Sequence, residues 1–129
     1  DDGLSTAQIY AKIDDMRGLD FELDPAVPTE LLGALTRGDA PALGRLLHND
    51  LQAAAIAAKS KLGDVLEAGL ELGALGSLIS GSGPTCAFLS RDESSAIDLV
   101  VALKATGLVD HVFHAHGPVH GARVISTSR

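Results

Sequence analysis

The chain has 129 residues, of which 46% are hydrophobic, so it can bury one sizeable core and is short enough to be a single domain. Its formal net charge of −7, one Tyr, three Phe and no Trp argue against nucleic acid as a partner, since phosphates would be repelled and bases would find few rings to stack on. One cysteine excludes an internal disulfide and favours the cytoplasm, and no apolar run approaches the ~20 residues that cross a bilayer, so no membrane partner is expected.

The first predicted element is a helix that begins after Ser5 and ends near Met16. Ser5 as N-cap, with Gln8 three positions later, predicts a capping box in which each side chain bonds to the backbone at the other position. The stretch over 17–28 combines glycine, prolines and acidic residues. This composition predicts a surface loop.

Three more helices are predicted before the glycine-rich part of the chain. A short helix over 30–36 ends at Gly38, and Asp39 caps a second helix that runs to about residue 58. A third helix over 61–72 ends at Gly73, where a left-handed residue is favoured. The second helix is predicted to be continuous because apolar residues recur at helical spacing along it. These residues are Leu43, Leu47, Leu51, Ala54 and Ala58.

After residue 76 the pattern changes to short apolar runs at 78–79 and 86–89, which predict two strands joined by a glycine loop. A helix follows, capped either by Ser90 with Glu93 or by Asp92 with Ser95. Two further strands are predicted over 111–116 and 122–126, and one more strand is expected to precede residue 1. The apolar positions expected to share one face of the last helix are Ile97, Val100, Val101 and Leu108.

The candidate site is the loop formed by Gly81, Ser82, Gly83, Pro84 and Thr85. Two glycines one residue apart allow positive φ angles and close approach of a ligand, so successive amides can form an anion-binding nest, and the two hydroxyls add donors. The loop lacks the Lys-Ser or Lys-Thr of a P-loop and the third glycine of a dinucleotide fingerprint. A tight turn in which the glycines serve backbone geometry alone remains the alternative interpretation.

Segment 80–89 closely resembles the third motif of the GHMP kinases, a superfamily of ATP-dependent kinases of small molecules. Segment 47–52, with its Asn-Asp-Leu triplet, is similar to a helix of one branch of that family, the 4-diphosphocytidyl-2-C-methyl-D-erythritol kinases. Segments 4–6 and 117–124 are similar to actinobacterial members of the branch. The resemblance implies an α+β fold over 1–129, a ferredoxin-like C-terminal domain with helices packed on one face of an antiparallel sheet.

The resemblance also implies a function. The complete enzyme would use ATP and Mg²⁺ to phosphorylate a hydroxyl of 4-diphosphocytidyl-2-C-methyl-D-erythritol on the non-mevalonate route to isoprenoid precursors. An N-terminal domain would supply the phosphate-binding loop, a catalytic Asp and a Lys, so this chain is expected to carry no catalytic residue and to be inactive alone. Its expected partners are the N-terminal domain, which it would contact through the loop over 81–85, and the small-molecule substrate. The oligomeric state is left open between a monomer and a homodimer. The alternatives are a homoserine- or mevalonate-type kinase and a free-standing ligand-binding module.

Several other polar side chains outside the loop could have either a chemical or a structural role. Asn49 and Asp50 could act in the site, but polar side chains beside an apolar face more often fix a neighbouring loop. A metal site is disfavoured because no carboxylate or cysteine lies at ligand spacing from the C-terminal histidines. Cys86 has no neighbouring base in the sequence and is interpreted as a small buried hydrophobe. The histidines concerned are His111, His114, His116 and His120.

Overall fold

The computed structural model describes residues 3–18 and 27–125, so most of the loop predicted over 17–28 lies outside the described residues. The described part of the chain forms six helices and two strands, which confirms the predicted α+β class. In chain order the elements are α1 (Thr6–Arg17), α2 (Thr29–Arg37), α3 (Ala40–Leu46), α4 (Gln52–Ala58), α5 (Lys61–Glu71), β1 (Gly76–Ile79), β2 (Cys86–Leu89) and α6 (Glu93–Ala105).

The sheet is the predicted hairpin: β1 and β2 pair antiparallel, from Gly76 opposite Leu89 to Ile79 opposite Cys86. Helix α5 packs on both strands, α3 and α4 contact β1, and α6 contacts α5. The strands predicted over 111–116 and 122–126 are wrong for the residues described, since 111–125 contain no strand. Their larger apolar side chains are exposed, so the alternating pattern has no buried face to stabilise it. These side chains are Phe113, Val124 and Ile125.

The hydrophobic core joins α1, α4, α5 and β1. Leu4 packs against it just before α1 begins, and Phe88 packs against it from β2. Ser5 has the extended backbone of an N-cap residue, but its side chain makes no capping bond, so the predicted capping box is wrong. Ser5 and Gln8 are both exposed and can bond to water instead. The buried core residues are Ile9, Ile13, Ala54, Ala55, Leu62, Leu66 and Ile79.

The continuous second helix is also wrong, because the chain breaks between Leu46 and Gln52 into α3 and α4. Leu47 takes an extended conformation with φ −61° and ψ 127°. The Oδ1 atom of Asn49 accepts a hydrogen bond from the Leu51 amide at 3.1 Å, in competition with the helical pattern. Asn49 and Asp50 therefore lie in the break between two helices and not on a helix.

The other predicted helix ends are confirmed. Helix α2 ends at Gly38 with φ +64°, and Asp39 caps α3 by accepting a hydrogen bond from the Ala42 amide at 3.0 Å. Gly73, just after α5, has φ +100°. Each glycine occupies backbone space that other residues rarely adopt, which is why the sequence located these helix ends.

Helix α6 has Asp92, the second of the two predicted caps, as its N-cap and ends at Ala105, so Leu108 lies beyond it. Its buried residues are Leu99 and Leu103, whereas the predicted Ile97 and Val101 are 49% and 63% exposed. The predicted face is therefore wrong. The helix is apolar on more than one side, and only its packing on α5 decides which side is buried.

The Asp92 cap gives a pH-dependent prediction. The amide and hydroxyl of Ser95 both donate to Oδ1 of Asp92 at 2.8 Å, and these bonds hold the pKa of Asp92 below its ordinary value of 3.8. A lowered folded-state pKa stabilises the fold above the ordinary pKa and ceases to do so as the pH falls through the folded-state value. Asp92→Ala is expected to lower the Tm by about 2 °C at pH 7, with the difference shrinking below pH 3.8.

Circular dichroism melts between pH 7 and pH 2.5 measure this difference. Asp98→Ala, which removes the same charge from the exposed middle of α6, is the matched control and should not lower the Tm. A Tm difference for Asp92→Ala that is independent of pH would contradict the capping role of the ionised carboxylate.

Candidate functional site

The predicted glycine loop joins the two strands over residues 80–85. The Ser80 amide donates to the Thr85 carbonyl at 2.8 Å, and the Gly83 amide donates to the Ser80 carbonyl at 3.0 Å. Gly81 has φ +56° and Gly83 has φ +78°, so both glycines adopt the positive φ predicted for them. The loop is thus closed by backbone bonds at its base and depends on glycine at two positions.

The two glycines differ in their surroundings. A Cβ atom on Gly83 would lie 3.1 Å from Cγ2 of Ile79 and 3.3 Å from Cδ1 of Leu4, whereas one on Gly81 would meet nothing within 4 Å. Gly83 therefore packs on the core and Gly81 lies at the exposed side. No described residue accepts a hydrogen bond from the amides of Gly81 and Ser82. Adjacent unpaired amides of this kind suit an anionic ligand.

Asn49, in the break between α3 and α4, holds the loop, and Gln52, the first residue of α4, holds the end of β1. The Ser80–Thr85 bond makes the adjacent pair, Ile79 and Cys86, a non-hydrogen-bonded pair, so the backbone groups of Ile79 point away from β2. Nδ2 of Asn49 donates to the carbonyls of Ile79 at 2.6 Å and Gly81 at 2.9 Å. Oε1 of Gln52 accepts from the Ile79 amide at 3.0 Å. The interpretation that Asn49 fixes a neighbouring loop is confirmed.

Asp50 does not reach the loop. Its carboxylate bonds to Nε2 of His48 at 2.8 Å and to Nη2 of Arg17 at 3.2 Å, which links the segment to the end of α1. The hydrogen bond with His48, supported by Arg17, holds the pKa of Asp50 below its ordinary value of 3.8. The Asp50 side chain is 56% exposed, and exposed ion pairs contribute little to stability. Asp50 therefore serves as a surface link.

Helix α1 meets the loop through Thr6, whose Oγ1 lies 2.9 Å from Oγ of Ser82. Tyr10 lies one turn further along the same side of α1 and is 55% exposed. Sequence reasoning missed the contacts of Thr6 and Gln52. The Thr6 and Gln52 contacts join residues 76 and 27 positions apart, so no local pattern could have found them.

The remaining candidates contribute no reactive group to the loop. Cys86 is half-buried behind the loop, with Sγ 3.9 Å from the Pro84 carbonyl, and burial raises the pKa of its thiol. A raised pKa disfavours the thiolate, the nucleophilic form. Among the residues that the structure describes, no three His, Cys, Asp or Glu side chains converge as metal ligands. Within the same part of the chain, no helix is both long and apolar enough to span a bilayer.

Comparison with known proteins decides the family. Residues 31–108, more than half of the chain, match the family model described as GHMP kinases C terminal. The chain belongs to this family. The match includes α3, α4, the hairpin with its glycine loop and α6, so the loop and Asn49, which bonds to it, lie within the shared GHMP kinase region.

Individual relatives agree with this assignment. The chain is 49% identical over 125 residues to 4-diphosphocytidyl-2-C-methyl-D-erythritol kinase of Thermobifida fusca (strain YX), a match that covers 97% of the chain and 40% of the relative. It is 44% identical over 126 residues to the kinase of the same name from Mycobacterium tuberculosis (strain ATCC 25618 / H37Rv), a match that covers 98% of the chain and 40% of that relative. The chain thus spans about two fifths of the length of these relatives.

Among solved structures, homoserine kinase from Cytophaga hutchinsonii ATCC 33406 superposes with a TM-score of 0.64 at 27% sequence identity. The match covers 80% of this chain and 33% of that protein. The resemblance to GHMP kinases, and to actinobacterial members of the diphosphocytidyl-methylerythritol branch, is confirmed. The ligand-binding role of residues 81–85 stays a prediction.

Proposed function

We propose that residues 1–129 form the C-terminal domain of a two-domain ATP-dependent kinase that phosphorylates a hydroxyl of 4-diphosphocytidyl-2-C-methyl-D-erythritol, a step of the non-mevalonate route to isoprenoid precursors. The observation that carries the proposal is 49% identity across 97% of the chain to a kinase of that name. The relative is longer than the match, which covers 40% of it, and this supports an N-terminal partner domain. The single free cysteine favours a reducing compartment, in keeping with the cytoplasm.

The loop's contribution is positional and electrostatic. Phosphoryl transfer needs reactants held in line and charge on the phosphoryl oxygens stabilised. Backbone amides in fixed positions supply such stabilisation without reorganising during the reaction. The outward amides of Gly81 and Ser82, with the Ser82 and Thr85 hydroxyls, would contact the substrate or the transferred phosphoryl group. The packed Gly83 and the exposed Pro84 would hold this surface against the partner domain.

The residues of the loop do not fit Mg²⁺. The cation prefers carboxylate and water oxygens, whereas residues 80–85 contain no carboxylate. A whole triphosphate also lacks a cradle here, because β2 and not a helix N-terminus follows the loop. We therefore assign ATP and Mg²⁺ to the N-terminal domain and the shaping of the acceptor side of the pocket to this chain.

A homoserine kinase is the second candidate, since a solved structure of that name shares the fold at 27% identity. The much higher identity to diphosphocytidyl-methylerythritol kinases favours the first candidate. A free-standing binding module would need neither an N-terminal domain nor an acceptor hydroxyl. Expression of the full reading frame distinguishes the three.

The test compares the complete protein with this chain alone. With ATP and Mg²⁺, the complete protein is expected to use the diphosphocytidyl substrate with a kcat/KM at least ~100-fold above those for homoserine and mevalonate. This chain alone should neither transfer phosphate nor bind ATP at micromolar concentration, because residues 3–18 and 27–125 offer no triphosphate cradle. A coupled ADP assay, product mass spectrometry and calorimetry measure these outcomes. Preference for homoserine would contradict the substrate, and tight ATP binding by this chain would contradict the division of roles.

A further inference from the structure

Asn49 connects the end of β1 to the glycine loop through a single side chain. Its Nδ2 donates to Ile79 O and Gly81 O, and its Oδ1 accepts from the Leu51 amide, so three of the four hydrogen bonds open to an Asn side chain are made. We propose that Asn49 is a positioning residue for phosphoryl transfer: it sets the direction of the Ser82 amide without touching the reacting groups. The inference rests on the kinase function proposed above.

The rigid peptide unit explains how Asn49 acts at a distance. The carbonyl of Gly81 and the amide of Ser82 belong to one planar trans peptide, in which C=O and N–H point in opposite directions. When Asn49 holds the carbonyl on the inner side of the loop, the amide of Ser82 must point to the outer side. The hydrogen bond that Asn49 donates to the Gly81 carbonyl therefore fixes the direction of the Ser82 amide.

Packing does not hold this peptide in place. Gly81 has no side chain, and the space where its Cβ would lie is empty to 4 Å. Gly83, in contrast, is confined by Ile79 and Leu4. The Thr6–Ser82 hydroxyl pair is exposed and restrains the side chain of Ser82, whereas the carbonyl of Gly81 is restrained by Asn49. Loss of the Asn49 donor should thus free the outer peptide while leaving the packed part of the loop intact.

Asn49→Asp in the complete protein tests the donor with little change in size. A carboxylate oxygen would replace a nitrogen that lies 2.6 Å and 2.9 Å from two carbonyl oxygens, and repulsion would rotate the Gly81–Ser82 peptide. We expect kcat to fall by about 30-fold, since small displacements at a transfer site are costly. The KM values for ATP and for the diphosphocytidyl acceptor should stay within about threefold, because the lost interaction is made in the transition state.

Two variants separate the lost donor from added charge and from a folding defect. Gln52→Glu adds the same charge three residues away but keeps an oxygen that accepts from the Ile79 amide, so its kcat should fall by less than about threefold. Asn49→Ser adds no charge and keeps an oxygen near the Leu51 amide, yet it is too short to reach Gly81. Its kcat should fall by about tenfold or more. Hydrogen exchange of the peptide spanning 80–85 reports the loop directly.

The outcomes are distinct. The proposal is supported if both Asn49 variants lose kcat with KM retained and exchange faster over 80–85, while Gln52→Glu does neither. It is overturned if the Asn49 variants keep kcat within threefold, or if Gln52→Glu loses as much as Asn49→Asp. It is also overturned if activity falls only in proportion to the folded fraction. If the complete parent protein is inactive, the proposed kinase function is refuted. Unchanged exchange over 80–85 in the Asn49 variants would then also show that Asn49 does not anchor the loop. Faster exchange would show an anchored loop with no role in phosphoryl transfer, which also overturns the proposal.

Discussion

Gly83→Val is expected to lower the kcat/KM of the complete kinase by about 100-fold or more. Gly83 has φ +78°, which a β-branched residue rarely adopts, and its Cβ would crowd Ile79 and Leu4. The loop can accommodate valine only by moving, and a shift of about 1 Å at a transfer site costs roughly 100-fold in rate. Steady-state kinetics with the diphosphocytidyl acceptor measure the loss.

The fold should survive this substitution. Backbone strain costs about 1–3 kcal/mol and side-chain crowding a similar amount, against a stability of roughly 5–15 kcal/mol for an ordinary domain. Gly107→Val is the matched control: Gly107 also has positive φ, at +69°, but lies after α6 with open space around it. If Gly83→Val melts early while its folded fraction keeps full kcat and KM, the loop is only a structural turn. Gly83→Ala, with smaller crowding, should show the same kinetic defect in weaker form.

Gly44→Ala is expected to lower the free energy of unfolding by about 3 kcal/mol or more. Gly44 is buried in α3, and a Cβ there would overlap the carbonyl of Leu75, while a Cβ on Gly76 would overlap the backbone of Gly44. Helix and strand thus touch backbone to backbone. No rotamer change can relieve such an overlap, so α3 must move away from β1. Urea unfolding followed by circular dichroism measures the loss.

Gly63→Ala is the control for helix glycines. Its Cβ would lie 3.5 Å from Cγ2 of Ile56, an ordinary contact, in the first turn of α5. Because alanine favours helix over glycine by up to about 1 kcal/mol, this variant should be slightly more stable than the parent. An equal change in the free energy of unfolding for Gly44→Ala and Gly63→Ala would contradict the close contact of α3 with β1.

Local chemistry explains which elements were predictable. Gly38 and Gly73 mark helix ends through their backbone freedom, Asp39 and Asp92 mark helix starts, and the change of period after residue 76 predicts the hairpin. Each of these signals acts within a few residues. The positive φ of both loop glycines was predictable for the same reason.

The errors arise where distant contacts override local pattern. Leu47 and Leu51 continue the apolar spacing of a helix, but Asn49 bonds to β1, 30 residues away, and the helix breaks there. Both faces of α6 carry apolar residues, so the sequence does not show which face is buried. The structure shows that α6 contacts α5 and that Leu99 is buried. The anchoring of the loop by Asn49 and of β1 by Gln52 depends on such long-range contacts and could not be derived from spacing.

The two amide side chains that bind Ile79 also affect how this sheet can grow. An edge strand with free N–H and C=O groups is a template for pairing with strands of other molecules, which is a route to aggregation. At the end of β1 both backbone groups of Ile79 are already bonded, one to Gln52 and one to Asn49. An incoming strand cannot pair there without displacing both side chains. The side chains of Asn49 and Gln52 therefore also protect the sheet edge beside the loop from intermolecular pairing.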